Sequence, residues 1–198
     1  MRGALKAREQ RIRDARARAN QWRAERGYCL KEDLASMEFA DYLRPMVLLS
    51  LNTGLRRGEL FALRWCDLDT ERAYLTVQGI KSKNGTTRHI PLNREALDVL
   101  MRWKTDSDGA EDLMFKGRQA DIFNNVRRSW LGVLKAAGIT KFRWHDMRHS
   151  FASRLAMAGI DLNTIRELLG HADYKMTLRY AHLAPEHKAA AVAKLVRA

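Results

Sequence analysis

The side chains best equipped for chemistry in this sequence lie in four short polar clusters. The first is Thr53-Gly54-Leu55-Arg56-Arg57-Gly58-Glu59-Leu60. Gly54 permits a sharp turn after an apolar helix, which leaves Arg56 at a rigid junction with Glu59 three residues on, within reach on a helical face. Alone, the same residues also describe a helix–turn–helix corner with an ordinary surface arginine. The second cluster is Lys83, beside the tight-turn pair Asn84-Gly85. A lysine at a hairpin tip is commonly a solvated gatekeeper, and Lys81 shares its strand face. The third is Arg143-Trp144-His145-Asp146-Met147-Arg148-His149, in which His145 can stand beside Arg148 or beside His149. The His145/His149 spacing imitates the zinc-hydrolase pattern H-E-x-x-H, but Asp146 replaces the required Glu and no third ligand follows at a suitable spacing. The fourth is Leu168-Leu169-Gly170-His171 followed by Thr177-Leu178-Arg179-Tyr180-Ala181-His182. There His171 follows a helix-ending glycine and Tyr180 lies nine residues later; each alone also reads as a capping histidine and a half-buried tyrosine.

Taken jointly, the clusters narrow the chemistry. A tyrosine nucleophile, two arginines, a lysine and two histidines occur without a carboxylate cluster to hold Mg²⁺. Attack at a phosphodiester builds negative charge on the non-bridging oxygens, and guanidinium forks clamp such oxygens while staying charged. A lysine can protonate a leaving alkoxide. A histidine can take the proton of a phenol, which at a pKa near 10 keeps it at neutral pH.

These residues need a scaffold. Helices are expected over residues 45–51, 59–63, 94–104, 121–137, 145–158, 162–169, 174–181 and 185–196, with Gly138, Gly159 and Gly170 where helices should stop. Strands are expected over 73–77 and 88–92, alternating and β-branched, around the Asn-Gly turn. Residues 1–27 contain nine basic and three acidic side chains and few apolar ones. They read as a helical or frayed basic linker that gains order on a partner, or equally as a solvated tail, with no apolar stripe wide enough to anchor a core.

Composition sets outer bounds. The 198 residues include 36 Lys+Arg against 23 Asp+Glu, for a net charge of +13, and 46% are hydrophobic. The chain is too apolar for disorder, and its surplus charge invites a polyanion, most often nucleic acid. No run approaches the roughly 18 apolar residues of a spanning helix. No signal-peptide core follows Met1, so a cytoplasmic location is expected, on the nucleoid if the source is bacterial. Cys29 and Cys66 are too few and too far apart for a disulfide framework.

The motifs T-G-L-R-R-G-E-L, S-K-N-G before H-I-P-L, H-D-M-R-H, L-L-G-H and the Y-A-H tail, in this order, resemble the catalytic domain of the tyrosine recombinase (phage integrase) family. The resemblance runs from about Leu43 to Leu183. It implies a mainly α fold with a small three-stranded antiparallel sheet, a catalytic domain over 28–183 and a C-terminal helix over 184–198 that docks either in cis or on a neighbour. The implied activity is site-specific cleavage and rejoining of double-stranded DNA through a 3′-phosphotyrosyl bond, with no metal, cofactor or ATP, by a homotetramer on DNA. Position by position, Arg56 and Arg148 resemble the phosphate-clamping arginines and Lys83 the general acid toward the 5′-oxygen. His145 resembles the proton acceptor, His171 the donor to a phosphate oxygen, Tyr180 the nucleophile and Glu59 a supporting residue. Arg57, His149 and His182 receive no role. On this basis activity should decline below about pH 6.5, the ordinary histidine value. Only about thirty residues precede the catalytic region, too few for the family's core-binding domain, so a DNA-binding fragment with little catalysis is the alternative.

Overall fold

Leu43–Thr53 packs leucine, methionine and valine so densely that a helix built from it has almost no face to spare for water. In the computed structural model of the protein, Leu43, Met46, Val47 and Leu49 are all fully buried. The structure describes residues 1–79, 85, 87–105, 108–117, 123 and 125–184. The elements in chain order are α1 (Arg2–Ala24), α2 (Leu43–Thr53), α3 (Arg57–Phe61), β1 (Leu68–Asp69), β2 (Tyr74–Val77), β3 (Arg88–Pro91), α4 (Arg94–Trp103), α5 (Arg127–Ala136), α6 (Asp146–Met157), α7 (Leu162–Leu169) and α8 (Lys175–Leu178). The mainly helical fold with a three-stranded antiparallel sheet is the one expected.

Helix α2 is the central post, packed against α4 on one side and α6 on the other. Its partners bury narrower stripes at helical spacing, Ala96, Val99 and Leu100 in α4 and Trp130, Val133 and Leu134 in α5. Asn93 and Asp161 start α4 and α7 by accepting hydrogen bonds from the backbone N–H groups of Ala96 and Thr164. A second, smaller cluster lies beyond α2, made of Ala152, Ala156, Ile165, Leu169 and Tyr180.

The sheet runs β1-β2-β3, with Leu75 opposite Ile90 and Val77 opposite Arg88. Because side chains alternate along a strand, Arg88 shares the inward face of Leu75, Val77 and Ile90 and is buried with them. The strand thus delivers a charged group under the sheet.

Three elements depart from expectation. Residues 1–27, read as a helical or frayed basic linker without a core-anchoring stripe, do contain a 23-residue helix, α1, but it is anchored on this chain, with Leu5 in the main core. Its attachment is largely polar. Glu9 is buried against Arg44 (2.9 Å), and Arg13 donates to the backbone carbonyls of Leu34, Met37 and Glu38. Arg16 and Asn20 do likewise to Glu32 and Lys31. The irregular segment between α1 and α2 has carbonyls with no ladder to join, and the arginines satisfy them. The helix expected over 121–137 is α5; the described residues 123, 125 and 126 precede it, and the Asn125 side chain accepts from Arg127 N–H. The helix expected over 174–181 is only one turn, because Tyr180 N–H bonds to Thr177 in a tighter i→i+3 turn that swings the phenol into the second cluster. The hairpin tip with Lys81 and Lys83, and the helix expected over 185–196, lie outside the described residues. Among the described residues no helix is long and apolar enough to cross a membrane.

Candidate active site

The C-terminal end of α7 organises the site. A helix leaves its last carbonyls without intrahelical partners, and the aligned peptide dipoles make that end attractive to cations. Here three successive carbonyls each take a different arginine. Arg88 Nε donates to Leu168 O (3.1 Å), Arg148 Nη2 to Leu169 O (2.5 Å) and Arg56 Nη2 to Gly170 O (3.2 Å). Arg148 Nη1 also donates to Gly54 O at 2.7 Å, which ties α6 to the end of α2. Both glycines are needed. Gly54 (φ +64°) and Gly170 (φ +63°) are left-handed C-caps, and a Cβ on Gly54 would lie 2.5 Å from the Phe151 ring. Arginines from α6, from β3 and from the cap of α3 therefore converge on one helix end.

Glu59 supplies the negative charge of this cluster. Its Oε1 accepts from Arg56 Nη1 (2.9 Å) and Arg88 Nη1 (3.1 Å), and its Oε2 from Arg56 N–H (2.8 Å) and Arg88 Nη2 (2.7 Å). Burial alone would raise its carboxyl, but the bonds and charge of Arg88 and then of Arg56 outweigh this and hold it below the usual value. One carboxylate thus serves two guanidiniums. Arg148 donates to the neutral carbonyls of Gly54 and Leu169, is nearly fully buried, and is pulled down to about 9 by burial and then by the like charge of Arg56, with Glu59 acting in the opposite sense. It stays charged at neutral pH, with neutral carbonyls as its hydrogen-bond partners and the carboxylate of Glu59 bonded to Arg56 and Arg88 instead.

The remaining groups ring this surplus charge. His171, directly after Gly170, is buried and bonded through Nδ1 to Thr177 Oγ1 at 2.8 Å, which leaves Nε2 for another partner. Burial, then the charges of Arg148, Arg56 and Arg179, lower it to about 4, so it is neutral above that pH. Tyr180 is buried with its hydroxyl 2.6 Å from His149 Nδ1, and burial raises its phenol while Arg179 and Arg148 partly counter the rise. His145 meets His149 edge-on, ring centres 4.9 Å apart. Burial and then Arg148 lower His145, so a decline in activity tied to it would fall below the expected pH 6.5.

The fold thus gathers Arg56, Glu59, His145, Arg148, His171 and Tyr180, every expected site residue except Lys83, which lies outside the described ones. Three further residues join them without having been expected: Arg88, Thr177 and His149. Arg88 had a signal, since strand alternation with Ile90 places it on the buried face. His149 sits four residues from His145 and was visible but without a role. Thr177 had none. Among the described residues no three His, Cys, Asp or Glu side chains stand together as metal ligands, and His149 Nδ1 is engaged with Tyr180.

The model of the phage integrase family matches residues 32–187. The chain belongs to this family. Among its relatives, the phage integrase of Salmonella phage P22 is 32% identical over 164 residues, covering 76% of this chain and 41% of that protein. The tyrosine recombinase XerC of Xanthomonas campestris is 39% identical over 155 residues, 74% of this chain and 47% of its own. The matched region therefore spans about half or less of these curated relatives. The catalytic domain of bacteriophage HP1 integrase superposes with a TM-score of 0.58 at 28% identity, over 75% of this chain and 79% of that domain. The fold is also that of the Tn1549 transposon integrase (TM-score 0.63, 24% identity, 77% of this chain and 58% of that one), whose structure is of a complex with a circular intermediate DNA.

Proposed function

We propose that this integrase-family chain cleaves and rejoins double-stranded DNA at specific sites through a covalent bond between Tyr180 and a 3′-phosphate. The observation that carries the reading is the surplus of guanidinium charge at the end of α7. Arg56 and Arg88 share one carboxylate, Glu59, and Arg148 beside them is buried with neutral carbonyls as its hydrogen-bond partners. A phosphodiester brings the missing negative charge, and the dianionic transition state brings more, so the site binds the transition state better than the ground state.

In this mechanism Tyr180 Oη attacks phosphorus, the P–O5′ bond breaks, and Lys83 protonates the departing 5′-oxygen. Arg56 and Arg148 hold the non-bridging oxygens. His171, neutral and turned by Thr177, donates from Nε2 to one of them. The family resemblance gives the phenol's proton to His145. The phosphotyrosyl ester keeps the energy of the broken diester, so a 5′-hydroxyl from another strand restores a phosphodiester without ATP or a metal. Exchange between two duplexes needs four such protomers, which makes a tetramer on DNA the working assembly.

The test uses a pool of nicked duplexes, randomised across the cleavage region and 5′-labelled on the cut strand, so that cleavage strands the protein on a 3′-end. Wild type should give a labelled band that survives denaturation and Tyr180→Phe none. Equal bands from both would refute the nucleophile. Salt-sensitive DNA binding with no wild-type adduct would favour the alternative of a DNA-binding fragment.

A further inference from the structure

Tyr180 leaves one question open: where its proton goes. Its hydroxyl lies 2.6 Å from His149 Nδ1, a hydrogen-bond distance at the short end for a neutral pair; Tyr180 is buried and His149 half-buried. His145 is placed differently. It touches the ring of His149 edge-on, no bond joins it to the phenol, and it stands in the fields of Arg148, Arg143 and Arg56. His149 follows Arg148 directly on α6, so one turn of helix presents both an oxygen clamp and a partner for the nucleophile.

We propose that His149 is the general base of strand cleavage, holding Tyr180 Oη through Nδ1 and taking its proton as the phenol attacks. This rests on the strand-transfer reading above and replaces His145 in the base role. As the Oη–P bond forms, the phenol proton passes to Nδ1 and the P–O5′ electron pair leaves with the 5′-oxygen, which Lys83 protonates. In rejoining, a 5′-hydroxyl attacks, the Oη–P bond breaks, and His149 returns the proton to the departing phenolate. The step needs a neutral imidazole with its hydrogen on Nε2. Burial and the charges of His145, Arg179 and Arg148 favour the neutral ring, with Asp146 acting in the opposite sense. The groups that face it are therefore His145, Asp146 and Arg148 on α6, His171 past the end of α7, and Arg179 with Tyr180 beyond α8. A proton gained by His149 is resisted by burial and by the charges of Arg179 and Arg148, so the imidazolium readily gives the proton back.

Two arms test this on the full chain. In the first, ¹⁵N-histidine NMR without DNA should show His149 as the Nε2–H form with Nδ1 accepting, and Tyr180→Phe should shift that Nδ1 signal. A proton resident on His149 Nδ1, or a signal blind to Tyr180→Phe, overturns the proposal. In the second, adduct formation on duplexes selected from the nicked pool is followed against pH. His149→Ala should slow it about a hundredfold or more, with partial recovery in added imidazole. His149→Gln, which can accept a bond but not a proton, should stay slow and lose the acid limb of the profile. If wild type forms the adduct and His149→Ala matches its rate and profile, the base assignment is wrong and the strand-transfer reading stands. If wild type forms no adduct with any duplex, both fail.

Discussion

Replacing Glu59 by Gln tests whether the arginine cluster is held by one buried charge. Glu59 accepts four hydrogen bonds, two at each oxygen, and its side chain is 2% exposed. Glutamine keeps one oxygen. Whichever way its amide turns, its NH₂ faces two donors, so two bonds become repulsive contacts. Arg88, itself 9% exposed, loses the carboxylate that offsets its burial, and Arg56 loses its own partner. Removing one partner of a buried ion pair costs about 3–5 kcal/mol. For a chain of this size each kcal/mol moves the melting temperature by about 2–4 °C, so a drop on the order of 6–20 °C is expected. Thermal melts and urea unfolding at pH 7 measure it. The pH dependence supplies a second reading. The carboxyl is held below its ordinary 4.5 in the fold, so its stabilisation is complete above the unfolded value and disappears as pH falls through the lower folded one. The gap between wild type and Glu59→Gln should therefore close in acid. A gap below about 1 kcal/mol at pH 7, or one that persists unchanged to pH 3, would refute the ion-pair account.

Other outcomes follow from the same geometry. Gly54→Ala meets both a positive φ and the Phe151 ring, and should cost about 2 kcal/mol or more, whereas Gly58→Ala, with open space around it, should be neutral or stabilising in the same urea titration. His171 is held at about 4 in the fold against 6.5 unfolded, so its contribution is complete above 6.5 and is lost as pH falls toward 4. Urea unfolding should show wild type losing up to about 3 kcal/mol more than His171→Gln between pH 7 and pH 4; parallel pH curves would count against the buried neutral imidazole. Leu5→Ala should destabilise by about 2–5 kcal/mol, because α1 contributes to the main core; an unchanged urea midpoint would mean that α1 is detachable.

Much of this protein is legible along the chain. The apolar density of α2, the stripes of α4 and α5, the alternation in β2 and β3 and the glycine stops at 138, 159 and 170 come from local periodicity and backbone freedom, properties a linear string contains. The polar motifs are equally local, and their order carries the family likeness. What the string cannot contain is a partner from elsewhere in the fold. Arginines in residues 1–27 look like a solvated tail until the carbonyls of Leu34, Met37 and Glu38 come within reach. Thr177 is an ordinary threonine until it turns the His171 ring, and His149 is a spare histidine until Tyr180 folds onto it. Long-range hydrogen bonds have no sequence period, so tertiary packing alone decided that the end of α7 would gather three arginines and that the phenol would lie against α6.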